Sequence, residues 1–260
     1  MKKTLLAAGI AALISTSVHA DVVGVYVGGH VWDNEASGVF GESGGQVDYS
    51  LEDETQNYFY IAVEHPFPFI PNVKLAKSEL DTMGDTTLTQ DITFGDTDFA
   101  SGSVVDAAFD VSYMDYTFYY ELFDNGLFSF DFGLTARDFD GDVKLSSTVE
   151  ITGPEGTPVE VPIDGTIKTS EIVPMLYART KVGLPLTGLN FFAEGNFLSL
   201  DDHTLYDYQA GVSYDLIDNV IVDMNIMAGY RSVRLELEDL DDLYSDIDFD
   251  GVFAGIEVHF

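Results

Sequence analysis

The sequence contains no cysteine, which excludes disulfides, thiolate metal sites and cysteine nucleophiles. Bases are nearly as scarce: 11 Lys and Arg stand against 45 Asp and Glu, a formal charge of -34 over 260 residues. A nucleic-acid partner is thereby excluded, because such a chain cannot neutralise phosphates. No apolar run reaches 18 residues, so no transmembrane helix is expected. Low-complexity tracts, sequence repeats and composition breaks are also missing. What is abundant is apolar surface. With 46% apolar and 13% aromatic residues, the chain is too hydrophobic for an acidic disordered tail.

The first twenty residues read as an export signal. Lys2 and Lys3 supply the positive region, Leu5 to Ile14 a short apolar run, and Val18-His19-Ala20 a small-residue cleavage site before Asp21. The expected division is 1–20 signal peptide and 21–260 a single domain. Only nine bases then remain.

Residues 21–260 alternate with period two, the mark of strands with one apolar and one polar side. Phe128, Phe130, Phe132 and Leu134 oppose Ser129, Asp131, Gly133 and Thr135. Tyr206, Tyr208, Ala210 and Val212 oppose Asp207, Gln209, Gly211 and Ser213. Ten such segments are predicted at 22–32, 56–65, 73–81, 108–122, 127–138, 168–184, 189–200, 205–216, 220–235 and 246–260. Tight turns at 66–72, 123–126, 185–188 and 217–219 carry Pro, Gly, Asn and Asp. The other connections, 33–55, 82–107, 139–167 and 236–245, are long and polar, with 201–204 the short exception. An even strand count with loops of alternating length predicts an all-β fold: a closed antiparallel up-and-down transmembrane β-barrel. A secreted β-sandwich or lipocalin-like barrel is the rival, since it too would alternate.

The chain ends on Val252, Ala254, Ile256, Val258 and Phe260 along one face, long enough for a tilted strand to cross hydrocarbon. This terminal Phe after alternating apolar residues resembles the C-terminal assembly signal of Gram-negative outer-membrane barrel proteins. As a whole the chain resembles an uncharacterised family of small outer-membrane proteins. The resemblance implies a fold, an outer-membrane address reached through the periplasm, and assembly-machinery recognition of Phe260; it implies no activity. Tyr120, Phe128, Phe191, Tyr214 and Phe260 are expected at the periplasmic interface, Tyr58, Tyr206 and Tyr230 towards the outer one.

With apolar faces on lipid, polar faces meet in the lumen. Asp115, Glu121, Asp131, Glu171, Glu194, Asp207, Asp215, Asp223 and Glu257 are placed there with Arg137, Arg179, Lys181 and Arg231. Such charges need partners in a narrow interior, so an ion-pair network that fills the lumen is expected. The alternative is a narrow pore, which this excess of carboxylates would make cation-preferring.

The outer loops are acidic: 236–250 and 33–55 contain no base. Clustered carboxylates are hard-oxygen ligands, so Asp246, Asp248 and Asp250 are expected as a weak divalent-cation contact that could bridge to anionic lipopolysaccharide. Asp246-Ile-Asp248-Phe-Asp250-Gly251 with Glu257 fits the calcium-loop pattern, but the helices that an EF-hand needs are missing. Asp96, Asp98 and Asp201-Asp202-His203 share the spacing of omptin-type proteases without their surrounding residues. The function expected is non-enzymatic and cofactor-free, a structural or interaction barrel contacting lipid, lipopolysaccharide, cations or external ligands.

Overall fold

The computed structural model describes residues 23–152, 157–200, 203–219, 222–240 and 242–260; the export signal lies outside them. All regular structure among the described residues is β. The strands are β1 Gly24–Gly41, β2 Glu54–Glu64, β3 Asn72–Ser78, β4 Asp81–Thr87, β5 Ile92–Phe94, β6 Thr97–Phe99, β7 Val104–Asp110 and β8 Tyr113–Asp124. They continue as β9 Phe128–Phe139, β10 Gly141–Thr152, β11 Pro158–Thr169, β12 Ile172–Leu184, β13 Leu189–Leu200, β14 His203–Ile217, β15 Asp223–Leu240 and β16 Leu243–His259.

Ten of these close a barrel in the order β1-β16-β15-β14-β13-β12-β9-β8-β3-β2. Every pairing is antiparallel, and β1 meets β16 with Val31 opposite Ala254. Beyond the end of β16, the Phe260 N–H donates to the Val25 carbonyl at 3.0 Å and the Val25 N–H returns the bond at 3.2 Å. Closure leaves no barrel edge unpaired, the condition for strands in hydrocarbon. The period-two pattern turns Val27, Val31, Phe59, Ile61, Phe118, Phe132, Leu134, Leu176, Phe197, Val252 and Ile256 outward, all exposed. Short turns join the strands at one end, where Tyr120, Phe128, Phe191, Tyr214 and Phe260 ring the exterior.

The opposite end departs from expectation. The segments predicted as long loops fold: β4, β7, β10 and β11 form a four-stranded sheet, and β5 and β6 a small hairpin. The 108–122 segment splits into the end of β7 and the start of β8. Strands β1, β15 and β16 run far past the apolar belt. The cause is a second alternation. Val105, Ala107, Phe109, Val143, Leu145 and Ile167 point inward to a core completed by Phe40, Phe94, Phe99, Leu235, Ile247 and Phe249. Asp on the opposite positions gives these strands the composition of loops. Tyr58 is also corrected: it is buried in the lumen, because the parity of β2 puts Phe59, Ile61 and Val63 on lipid.

Candidate functional site: a cross-linked lumen beneath an acidic head

The inward faces of the barrel carry polar side chains in two tiers. The upper tier centres on Asp207 of β14. Arg231, from the adjacent β15, donates to both its oxygens, each at 2.9 Å. Arg137 of β9 donates to Asp207 Oδ2 at 2.8 Å and grips Asp115 of β8 through Nε at 2.8 Å and Nη2 at 2.7 Å. Tyr113 completes the group, its hydroxyl donating to Asp207 at 2.5 Å and accepting from Arg231 at 2.8 Å. Strands β12 and β13 separate β9 from β14 around the wall, so the Arg137–Asp207 bond crosses the bore. Tyr113 also stacks beneath Arg137, with the guanidinium carbon 3.6 Å from its ring centre. Trp32 and Tyr58 flank Arg231 at 4.7 Å and 4.8 Å. All four charged residues are buried.

The lower tier crosses the bore twice more. Lys74 of β3 pairs with Glu194 of β13, and Arg179 of β12 reaches Glu257 of β16 at 3.5 Å as well as Glu194 at 3.7 Å. Tyr60 donates to Glu257. His30 and Gln209 make another crossing at 3.1 Å. Between the tiers, by Tyr58, Glu194 and Arg231, the free space is about 10 Å³, room for roughly one water molecule. Above the upper tier the apolar core roofs the lumen: Val233, Leu235, Ile247, Phe249 and Phe40 are fully buried. On the other side of Arg231 from this roof, Gly229 leaves room for Phe253, since a Cβ there would meet the Ala210 carbonyl and come within 2.8 Å of the Phe253 ring.

The structure brings Asp115, Arg137, Asp207 and Arg231 together, and likewise Arg179, Glu194 and Glu257. Asp131 is buried opposite Arg179 in the β9–β12 register. Lys181, Asp215 and Asp223 instead line a cavity of about 300 Å³ at the short-turn mouth, with Tyr26 and His259 stacked at 4.1 Å. Two expected lumen residues lie elsewhere. Glu121 is exposed beside a register shift at the short-turn rim, and Glu171 is exposed in the link ahead of β12. Lys74 was missed, although parity opposite Val73 and Leu75 could have found it. The lysines on both faces of β3 hid that signal.

Asp246, Asp248 and Asp250, the expected cation contact, lie together on β16. Asp246 and Asp248 each meet the Arg234 guanidinium at 2.8 Å. Their counter-charge comes from within the chain, and Asp250 lies on the same outward face. Among the described residues no group of three or more acidic or histidine side chains could hold a metal ion. Asp201 and Asp202 lie outside the described residues. His203 Nδ1 accepts the Glu238 N–H at 3.2 Å, and Asp98 accepts the Thr93 hydroxyl at 2.7 Å.

The head's outer sheet face is strongly acidic. Asp110 stands directly opposite Asp81 on one side and Asp142 on the other, and Asp106 opposite Asp85. Lys144 and Lys168 offset only part of this, at 3.6 Å from Asp164 and 3.5 Å from Asp142.

A closed, even-stranded antiparallel barrel with an apolar exterior, tight turns at one end and a large polar head at the other is a β-barrel of the Gram-negative outer membrane. No family model and no curated protein matches the chain. Among solved structures it is similar to Ail, the attachment invasion locus protein of Yersinia pestis, solved with the heparin analogue sucrose octasulfate. That match has 13% identity, covers 92% of this chain and 99% of that one, and has a TM-score of 0.31. It is also similar to the outer membrane protease OmpT of Escherichia coli at 9% identity, 95% and 100% coverage and a TM-score of 0.39. A FadL homologue of Pseudomonas aeruginosa follows at 8% identity, 96% and 93% coverage and 0.36. Likeness this slight carries no argument, and the class rests on the barrel itself.

Proposed function

We propose that the protein is a non-conducting, non-enzymatic outer-membrane barrel whose work is done by its acidic head, as a structural or interaction module at the cell surface. The observation that carries this reading is the filled bore. Three transluminal ion pairs and an apolar roof occupy the path that a pore would need. The charges are spent on one another and present no free carboxylate ring to a passing cation. The head, by contrast, is a folded platform on which acidic side chains far outnumber bases. External cationic ligands and cation-bridged lipopolysaccharide fit its field. Phe260, paired to Val25 at the barrel seam, is suited to present the last strand to assembly machinery.

Swelling of proteoliposomes tests the reading. Vesicles holding the refolded barrel should exclude monosaccharides as protein-free vesicles do. Uptake in proportion to the protein incorporated would favour the pore instead.

A further inference from the structure

The four-stranded head sheet has an interruption. β10 is paired along its whole length with β11, from Gly141 opposite Thr169 to Thr152 opposite Pro158. On its other side it is paired with β7 only from Asp142 to Ser147. The chain just ahead of β7 is held instead to the end of β4: the Gly102 N–H donates to the Leu88 carbonyl at 2.8 Å, and the Leu88 N–H to the Ser103 carbonyl at 2.9 Å. The last tie is the Ser147 hydroxyl, which donates to the Val104 carbonyl at 2.6 Å. Residues 148–150 of β10 therefore face an open slot, and β10 runs on past it to Thr152. It has a volume of about 600 Å³ and is walled by Ser101, Gly102, Ser103 and Val104 on the far side.

The two outer edges of this hairpin are treated differently. β11, the terminal strand of the sheet, carries Pro158 and Pro162, which cannot donate to a ladder and so blunt an edge. The free stretch of β10 reads Thr-Val-Glu-Ile-Thr, without proline and rich in β-branched residues. It is an unprotected edge beside the slot. Its two faces also differ. Val149 and Ile151 continue the inward face and stand opposite Val161 and Val159. Thr148 and Glu150 continue the outward face, with Asp106, paired to Ser146, at the closed end of the slot.

We propose that this slot accepts an extended peptide segment of a partner by β-augmentation, antiparallel or parallel to β10. Backbone hydrogen bonds would supply the affinity, and alternate side chains the selectivity. Parity then defines the occupant: small aliphatic residues over Val149 and Ile151 alternate with Lys or Arg facing Glu150 and Asp106. A second copy of this chain is the wrong occupant, because its own head carries the same negative field. The proposal rests on the reading of the head as an interaction module. Conductance through the barrel would overturn the non-conducting part of that reading and leave the slot untouched.

The test uses the full barrel in detergent and a fluorescein-labelled octapeptide alternating Val and Lys, followed by anisotropy. The labelled peptide should bind. Methylating its backbone nitrogens at every second residue, on the edge facing β10, should weaken binding by about tenfold, the loss of two or three hydrogen bonds. A scrambled peptide of the same composition should bind more weakly. Glu150→Lys, a change at an exposed position, and Val104→Trp, which fills the slot, should each reduce affinity. Failure to bind would overturn the proposal. So would equal binding of alternating, scrambled and methylated peptides, which would reveal charge adhesion alone.

Discussion

Asp207 accepts from two guanidinium groups and a phenol, and so ties β14 to β8, β9 and β15. Neutralising it leaves Arg137 and Arg231 buried without their shared counter-charge. Asp207→Asn is therefore expected to cost about 3–5 kcal/mol, the usual result of removing one partner from a buried pair. Reversible urea unfolding of the barrel in lipid measures it. Lys74→Met should cost less by the same measurement, because Arg179 remains within 3.7 Å of Glu194. Equal losses would show that the tiers are not organised as described. The parity of Asp115, Arg137, Asp207 and Arg231 was legible, since each alternates with lipid-facing residues on its own strand. Their partnership was not. It joins strands that are not neighbours, and only barrel closure determines which inward positions meet at one height.

At the scale of elements, the head was read as loops because its outer positions are mostly Asp, Ser and Thr. The buried alternation of β7 and β10 is short, and β4 carries only Thr82, Gly84 and Thr86 on its inner side. Ten barrel strands were legible because the membrane imposes long apolar stripes; a small sheet with one wet face leaves a weaker trace. Phe249 tests whether the roof is a true core. Phe249→Ala should cost about 3–5 kcal/mol, as aromatic-to-alanine changes in cores do. Hydrogen exchange should quicken in β7 and β10 while the heat-modifiable gel mobility of the barrel persists. Cross-strand repulsion in the head is testable through Asp81. Partial burial and the carboxylates of Asp110, Glu54 and Glu79 raise it above the usual range. A carboxyl raised in the folded state favours folding when protonated, so this contribution is gained as pH falls through the folded value and lost above it. Asp81→Asn should thus raise the melting temperature of the head at neutral pH and flatten its acid dependence. The effect should stay below about 0.5 kcal/mol, because exposed charges are screened.

On the scale of the whole molecule, the charge imbalance resolves into two populations. Lys74, Arg137, Arg179 and Arg231 sit in the lumen among their own carboxylates, Arg179 half-buried and the other three buried. Lys144, Lys168 and Arg234 lie in or beside the head, outnumbered by acids. The net negative charge is thus largely a property of the surface that faces outward. The barrel contributes a closed, cross-linked support, and the head contributes the field and the open β10 edge. Closure of the lumen is the central claim, and conductance in planar bilayers tests it most directly. Purified, refolded protein should add no steady current over protein-free membranes at moderate voltage. Stable open steps, cation-selective in a salt gradient, would contradict the account.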